Sequence, residues 1–241
     1  MKGIIIVDYN NVFTSDQCSE SDIELTLSSV VEDILNKFTD VDTLLIRVYA
    51  GWYQEDEITA RGSAIIAKIG QINPFPNVFK NRAIYGHIEF VDQINGVDFL
   101  WHNTYRQKEG PRLIVNRNIL RPHCSANKEH CPVEILSKFT KKSNRICNVP
   151  GCTIQNNHVF TQYGQKMVDT MMACDILTFG EEEDTKCIFV LTDDVDLFPS
   201  MALCKCKYPN VDVFVGTRNN RHVQESNNLR NHFNIQTFLL S

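Results

Sequence analysis

Short, unbroken runs of aliphatic residues alternate along the chain with segments in which apolar residues recur every three or four positions. The runs predict buried strands at residues 3–7, 43–49, 83–90, 187–192, 211–215 and 235–239. The helical spacing predicts helices at residues 22–38, 60–69, 165–179, 197–205 and 226–232. Strands that alternate with helices are typical of an α/β domain with a parallel sheet.

Two of the predicted helices carry recognisable end signals. Ser21 or Asp22 is expected to cap the first of them. Gly70 and the following Asn-Pro-Phe-Pro turn are expected to end the second. These signals support the helical assignment at both places.

Acidic residues follow two of the buried runs, which makes the ends of these strands the first candidate site. Asp8 comes directly after Ile-Ile-Ile-Val, and Asp194 and Asp196 follow Cys-Ile-Phe-Val-Leu-Thr. The chemistry of open α/β sheets sits beyond the carboxyl ends of the strands, so these carboxylates are expected to converge. Clustered carboxylates repel one another unless a hard divalent cation lies between them. The pattern therefore predicts a Mg²⁺ or Mn²⁺ site, although a single Asp in this place more often caps a loop.

The alternating rhythm breaks from about residue 92 to residue 157, and the charge changes there. Between Tyr105 and Pro150 there are ten Lys or Arg residues against three Glu, a local charge of +7 that leaves −12 for the rest of the chain. A basic segment beside an acidic metal site indicates a phosphate-binding surface, although a solvated charged insertion has the same composition. The candidate nucleic-acid-binding residues are Arg117, Arg121, Lys141, Lys142 and Arg145.

The same segment contains four cysteines in two pairs, with six and four intervening residues. Two ligand pairs joined by a loop are typical of a structural zinc site, which can organise a segment that has no large core of its own. The irregular spacing leaves buried or incidental thiols as an equal alternative. The candidate zinc ligands are Cys124, Cys131, Cys147 and Cys152.

Length and composition indicate how many domains the chain forms and in which compartment it is expected. A chain of 241 residues with 43% hydrophobic content can form one domain that carries an insertion. The N-terminus does not have the pattern of a signal peptide, and no apolar run approaches the length that spans a bilayer. Nine cysteines without an export signal favour a reducing compartment. We therefore expect a cytoplasmic protein that has no membrane partner.

Four segments, in order, resemble the signature segments of the NYN domain, a family with a PIN-like nuclease fold. They are IIIVDYNNVF, QKMVDTMMACDIL, VLTDDVDLFPSM and SNNLRNHFNIQTFLL. The resemblance covers about residues 1–90 and 160–241, so that residues 1–241 would form one NYN/PIN-like domain interrupted by the basic, cysteine-rich insertion at 92–157. It implies a three-layer α/β/α sandwich with a mainly parallel central sheet. It also implies metal-dependent cleavage of phosphodiester bonds, most often in RNA.

The resemblance assigns roles to individual residues. Asp8 is the carboxylate of the first strand, Asn11 orients it or the scissile phosphate, and Asp169 is the acidic residue of the helix. Asp194 and Asp196 match the acidic pair of the family's Gly-Asp-Ser-Asp segment, but Asp193 and Val195 replace its Gly and Ser. The secondary candidates are Asp193, Thr192, Lys166 and Asp175, the last of which lies about 240° around a helix from Asp169.

The expected chemistry is hydrolysis by two divalent cations, which needs carboxylates to hold the metals but no His or Ser nucleophile. The predicted function is therefore an endoribonuclease, with RNA favoured over DNA and with a homo-oligomer or a larger complex as possible assemblies. One alternative is a haloacid-dehalogenase-like phosphatase, which the first motif also resembles. Its acid/base position is occupied here by Asn10, whose amide cannot transfer a proton. The other alternative is a catalytically silent subunit that binds nucleic acid or assembles a complex.

Overall fold

The computed structural model describes residues 1–13, 19–72, 78–108, 114–115, 160–218 and 231–240. The chain divides into two compact units. The first consists of Met1–Thr104 together with Lys166–Ser241, and the second is Tyr105–Gln165. The strands are β1 (Lys2–Asp8), β2 (Thr43–Tyr49), β3 (Tyr53–Gln54), β4 (Glu57–Ile58), β5 (Val78–Phe79), β6 (Arg82–Ala83), β7 (Tyr85–Phe90), β8 (Tyr105–Lys108), β9 (Ile114–Val115), β10 (Phe160–Gln165), β11 (Thr185–Leu191), β12 (Asp212–Thr217) and β13 (Gln236–Leu239).

Five helices are described from end to end. They are α1 (Tyr9–Val12), α2 (Glu20–Lys37), α3 (Ala60–Ile69), α4 (Val168–Glu181) and α5 (Phe198–Lys207), and a 3-10 turn at Val195–Leu197 precedes α5. Residues 231–233 are also helical. Among the described residues, no helix is both long enough and apolar enough to cross a membrane.

A six-stranded parallel sheet with the order β13-β12-β11-β1-β2-β7 forms the centre of the first unit. From β1 the chain adds strands outward to β7, and then it returns to the other side of β1 and adds β11, β12 and β13 in the opposite direction. This is the order of a doubly wound sheet, whose direction of winding reverses between β1 and β11. The carboxyl ends of β1 and β11 therefore flank the topological switch point.

Helices cover both faces of this sheet, because its central strands are apolar on both sides. Ile5 and Val7 of β1 pack in one core cluster with residues of α2 and α3. Ile4 and Ile6 pack in the other cluster with residues of α4 and α5. The predicted α/β class with a parallel sheet is confirmed, and the arrangement is consistent with a three-layer sandwich.

The described elements differ from the predicted ones mainly at their ends. The helix predicted from Gln165 begins only at Val168, because Gln165 is the last residue of β10. Residues 92–104, which the sequence placed in the insertion, lie in the first compact unit, and the insertion itself stays a prediction. Residues 226–230 of the predicted last helix lie outside the described residues.

The described part of the second unit is a small antiparallel sheet. Its strand order is β8-β10-β9. The basic candidates Arg117, Arg121, Lys141, Lys142 and Arg145 and the zinc candidates Cys124, Cys131, Cys147 and Cys152 all lie outside the described residues. The predictions made for them therefore stay predictions.

Helix α2 begins earlier than the sequence pattern indicated, and its cap is a different residue. The hydroxyl of Ser19 accepts a hydrogen bond from the Asp22 amide at 3.1 Å, and the Asp22 carboxylate accepts one from the Ser19 amide at 3.0 Å. This reciprocal pair is a capping box. The prediction of a cap at Ser21 or Asp22 was wrong, because Asp22 is the third helical residue and completes the box that Ser19 opens.

The capping box predicts different effects for two neighbouring serines. Ser19→Ala should lower the free energy of unfolding by about 1 kcal/mol, because an amide at the start of α2 loses its acceptor. Ser21→Ala, the control at an exposed position inside the helix, should change it by less than about 0.5 kcal/mol. Urea titrations of both variants measure the difference, and equal effects would argue against the capping box.

Candidate active site

Asp8 lies at the switch point, where β1 ends and α1 begins. It is the last residue of the strand and the N-cap of the helical turn, and its side chain is fully buried. The chain leaves β1 toward α2 on one face of the sheet and leaves β11 toward α5 on the other face. Helices that diverge in this way leave a crevice beyond the two strand ends, which is where ligands bind in doubly wound sheets.

A chain of hydrogen bonds joins Asp8 to the end of β11. The Thr192 hydroxyl donates to Oδ2 of Asp8 at 3.2 Å, and the Asp194 amide donates to that hydroxyl at 3.0 Å. The Asp196 amide then donates to Oδ1 of Asp194 at 2.9 Å. On the other side, the side-chain amide of Asn11 donates to Oδ2 of Asp8. Asn11 and Thr192 therefore fix the orientation of the Asp8 carboxylate.

Asp169 lies in the first turn of α4, close enough to Asp8 for its charge to raise the pKa of Asp8. Met167, directly before this helix, has a left-handed backbone with a φ of 66°. A residue with a β-carbon adopts this conformation at a cost of about 1–2 kcal/mol. The strain occurs at the point that sets where α4 begins, and therefore where Asp169 lies relative to Asp8.

The ionisation of Asp8 distinguishes it from an ordinary capping carboxylate. Burial raises the pKa of Asp8 from 3.8 to about 6, and Asp169 adds to this shift while Asn11 and Thr192 oppose it. The pKa of the exposed Asp22, which completes the capping box of α2, is instead lowered by its hydrogen bond with Ser19. Both carboxylates accept a hydrogen bond from a backbone amide at the start of a helix, but of the two only Asp8 has surroundings that disfavour its charge.

Asp175 is a second buried carboxylate, and the structure places it away from Asp8. Its side chain accepts hydrogen bonds from the Tyr49 hydroxyl and from the Asn95 amide, and it lies 3.0 Å from Nη2 of Arg47. Burial raises the pKa of Asp175, and Arg47 offsets part of the shift. As the helical spacing predicted, Asp175 and Asp169 do not share a face of α4. Asp175 joins α4 to β2 and is not part of the candidate site.

Two further secondary candidates have other surroundings. Asp193 accepts hydrogen bonds from the Thr217 hydroxyl and, at 2.9 Å, from the Arg218 amide. It therefore ties the end of β11 to the end of β12, which identifies Asp194 as the residue in the hydrogen-bond chain to Asp8. Lys166 is exposed, three residues before Asp169.

The donor set at the switch point fits a hard divalent cation. Carboxylate oxygens are the ligands that Mg²⁺ prefers, and Mg²⁺ is commonly held by one or two carboxylates together with water and substrate phosphates. No Lys or Arg forms an ion pair with Asp8 within the part of the chain that the structure describes. Within the same residues, no three His, Cys, Asp or Glu side chains lie together as a metal-binding group. Asp8 and Asp169 are the two carboxylates that would hold a cation, because the charge of Asp169 acts directly on Asp8.

The sequence analysis did not identify three arginines that make side-chain contacts in the first unit. Arg47 stands alone in the apolar run Thr-Leu-Leu-Ile-Arg-Val-Tyr, which is a signal for a buried ion pair. Arg61 donates to the side-chain oxygen of Asn10 at 2.8 Å, and Arg218 donates to the Thr26 hydroxyl at 3.3 Å. Nothing in the sequence marks these last two positions.

A cavity of about 550 Å³ lies on the hairpin of β3 and β4 and is lined by residues 54–60. Glu55, Asp56 and Glu57 give it an acidic lining that does not suit an anion, and Asp8 is not among its lining residues. We therefore place the candidate chemistry at the switch point and not in this cavity.

Comparison with protein families, with curated proteins and with solved structures finds no match for this chain. The NYN resemblance therefore stays an interpretation of the sequence segments.

The contrast between the two aspartates of α4 predicts opposite mutational behaviour. Asp175→Ala should lower the free energy of unfolding by about 3–5 kcal/mol, because it leaves Arg47 buried without its carboxylate partner. Asp169→Ala, the comparison in the same helix, should cost clearly less than Asp175→Ala, because Asp169 is exposed in the first turn of α4. Chemical denaturation of both variants tests this. A large loss for Asp169→Ala would assign that residue a structural role.

Asp8→Asn is expected to stabilise the metal-free protein at neutral pH. A carboxyl group whose folded pKa is raised binds its proton more tightly in the folded state, so its favourable contribution is complete below about pH 4 and is lost as the pH rises through 6. A shift of about two pKa units corresponds to about 3 kcal/mol. The stability of Asp8→Asn minus that of the wild type should therefore increase by about this amount from pH 4 to pH 7.

Urea titrations in EDTA at several pH values measure this difference. Because both proteins share every other titrating group, effects elsewhere in the chain cancel. Added Mg²⁺ or Mn²⁺ should stabilise the wild type and not Asp8→Asn, since a ligand that binds only the folded state raises its stability. A difference that does not vary with pH would show that the Asp8 carboxylate is not destabilised by burial.

Proposed function

We propose that this protein is a metal-dependent nuclease that hydrolyses phosphodiester bonds, with RNA as its substrate and Mg²⁺ or Mn²⁺ as its cofactor. One observation carries the proposal. Asp8 is a buried carboxylate beside Asp169 at the switch point of a doubly wound sheet, and none of the groups that shift its pKa most is a Lys or an Arg. An exogenous cation would offset the repulsion between the two carboxylates.

Some residues of the site would hold the cation, and others orient the carboxylate that holds it. Asp8 and Asp169 would hold the cation, and Asp194 and Asp196 would extend the acidic surface along the end of β11. Thr192 and Asn11 keep the Asp8 carboxylate in one orientation through their hydrogen bonds. Such preorganisation matters because a ligand that is already oriented loses little entropy when the reaction begins.

Hydrolysis adds the oxygen of a water molecule to phosphorus, breaks one ester bond to phosphorus and leaves a proton on the departing hydroxyl group. When bound, a divalent cation neutralises the negative charge at the phosphate and promotes the ionisation of water. The residues of the chain then have to position the phosphate and the carboxylates. They do not need to supply a nucleophile.

The substrate class and the finer points of the fold rest on the sequence. The local charge of +7 between Tyr105 and Pro150 supports a polyanionic substrate. The NYN resemblance favours RNA, and with it we infer a PIN-like fold in which the second unit is the inserted subdomain. A zinc ion held by its four cysteines, a homo-oligomer or larger complex, and a cytoplasmic location belong to the same set of inferences.

The surroundings of Asn10 do not favour the phosphatase alternative. In that mechanism the residue two positions after the attacking Asp transfers a proton, and here it is an amide whose oxygen accepts a hydrogen bond from Arg61. A silent binding subunit would not need the Asp8 carboxylate. Replacing Asp8 should therefore abolish the function of a nuclease but leave the binding of nucleic acid by a silent subunit unchanged.

The test is cleavage of labelled single-stranded RNA, duplex RNA and DNA by the purified protein with Mn²⁺, Mg²⁺ or EDTA. Metal-dependent cleavage should fall at least about a hundredfold in Asp8→Asn and Asp169→Asn, because each removes a charge that would hold the metal. It should also fall in Asp196→Asn, which removes a charge from the acidic surface at the end of β11. Asp193→Asn is the matched control. Its amide oxygen can still accept the bonds from Thr217 and Arg218, so cleavage should persist.

Each alternative has a distinct result in the same assay. Cleavage that persists in both Asp8→Asn and Asp196→Asn would overturn the assigned site. Binding without cleavage under every metal condition would favour the silent subunit. Hydrolysis of p-nitrophenyl phosphate without cleavage of any polynucleotide would favour the phosphatase.

A further inference from the structure

Tyr49 connects the two carboxylates of the candidate site through the interior of the first unit. Its backbone pairs with that of Asp8 in the register of β1 and β2. Its hydroxyl donates a hydrogen bond to Oδ2 of Asp175, which lies in α4. Asp169, whose charge raises the pKa of Asp8, lies in the same helix. One side chain therefore joins the end of the strand that carries Asp8 to the helix that carries Asp169.

The bond from Tyr49 belongs to a buried network that engages both oxygens of the Asp175 carboxylate. Oδ1 accepts a hydrogen bond from the Asn95 amide at 2.8 Å, and Oδ2 also lies 3.0 Å from Nη2 of Arg47. Nε of Arg47 donates to the Tyr49 hydroxyl at 3.2 Å, and its Nη1 donates to Glu89 at 2.6 Å. Hydrogen bonds weaken steeply away from their preferred distances and angles, so this network resists rotation of α4.

The apolar packing of α4 near Asp169 is less directional. Met171 and Met172, two and three residues after Asp169, are buried in the core cluster on this face of the sheet. Methionine side chains are flexible, and apolar contacts have no preferred angle. A side chain whose tip lies about 5 Å from a helix axis moves by about 1 Å when the helix turns by about 10°. Such a rotation would displace the Asp169 carboxylate relative to Asp8 at little cost in packing.

Stability alone does not account for a charged network at this place. A buried ion pair commonly stabilises a fold no more than apolar side chains of similar volume would, because both charges lose their hydration. Its better-attested effect is to select one arrangement among several that pack similarly. Arg47 and Asp175 are both buried, and Asp175 lies on a helix whose other buried residues are mostly apolar.

We propose that Asp175, Tyr49 and Arg47 are positioning residues, which fix the rotation of α4 about its axis so that Asp169 faces Asp8 at the distance that a shared divalent cation requires. They act through the helix and are not ligands of the cation. The inference rests on the proposed function, because it takes the two carboxylates to be the metal ligands, and it adds the residues that hold them in place.

Tyr49→Phe tests one bond of the network, because it removes a hydroxyl and keeps the ring. Mn²⁺ is the probe, and its affinity is measured by electron paramagnetic resonance of the free ion. Tyr49→Phe should weaken Mn²⁺ binding about tenfold or more, the effect of losing a group that orients a metal ligand. Tyr53→Phe is the matched control, because the Tyr53 hydroxyl also donates to an aspartate, at 3.4 Å, but that residue is Asp92, outside α4. Its affinity for Mn²⁺ should equal that of the wild type.

Replacing the whole network separates position from stability. The triple variant Arg47→Met, Tyr49→Phe, Asp175→Leu removes both charges of the buried pair together. It should therefore unfold at a higher urea concentration than Asp175→Ala, which leaves Arg47 without its partner. It should nevertheless bind Mn²⁺ about 10–100-fold more weakly than the wild type.

Structure and kinetics of the triple variant complete the test. Crystal structures of the wild type and the variant should differ by about 1 Å in the separation of the carboxyl carbons of Asp8 and Asp169. A misplacement of this size should lower kcat for RNA about a hundredfold. KM should change little, since the three replaced residues are not assigned a contact with RNA. Tyr49→Phe provides the same comparison if the triple variant does not fold.

The possible results distinguish this inference from the proposed function. If Asp8→Asn loses Mn²⁺ binding and cleavage while Tyr49→Phe and the triple variant keep both, the network is only structural and the inference is wrong. If the wild type neither binds Mn²⁺ nor cleaves RNA, but the separation of the two carboxylates changes in the triple variant, the positioning stands and the nuclease function fails. An unchanged separation would overturn the inference regardless of the metal affinity.

Discussion

The reversal of winding between β1 and β11 is the constraint on which the rest of the first unit depends. Both strands lie in the middle of the six-stranded sheet, away from its two edge strands, and both are apolar on both faces. Because the chain leaves β1 toward one layer of helices and β11 toward the other, the carboxyl ends of these strands lie where doubly wound sheets form a crevice. Polar side chains from the two strand ends can therefore meet there. Asp8, Thr192 and Asp194 occupy this place and are joined there by hydrogen bonds.

Among the described residues of the first unit, the buried aspartates are Asp8 and Asp175, and their partners differ. Asp175 has Arg47, Tyr49 and Asn95 as partners, so its charge is compensated within the fold. Asp8 has neutral hydrogen-bond donors and a neighbouring carboxylate, so that burial and Asp169 together raise its pKa. A carboxylate that served only stability would gain from a cation such as Arg47. Retaining Asp8 without one costs stability, which natural proteins commonly accept at functional sites.

Much of the fold could be predicted from the sequence, because the aliphatic runs are long and the strands of a parallel sheet are apolar on both faces. The expected neighbourhood of Asp8 and Asp194 followed from the same rule, since the carboxyl ends of parallel strands share one edge. The capping box of Ser19 was missed because the apolar pattern of α2 begins only at Ile23. The partners of Asp175 could not be predicted, because Tyr49 is 126 residues away from it and comes close only through the sheet order. The different roles of the neighbouring Asp193 and Asp194 could not be predicted either. They depend on which residue bonds to the end of β12 and which one bonds to Thr192 beside Asp8.

The charge at the end of β1 links the stability of the first unit to the proposed function. Burial and the neighbouring Asp169 both disfavour the charge of Asp8. The same charge would repel a phosphodiester that approached Asp8 without a cation. In the proposed nuclease, one bound cation would therefore both offset the cost of the buried carboxylate and allow the scissile phosphate to approach it.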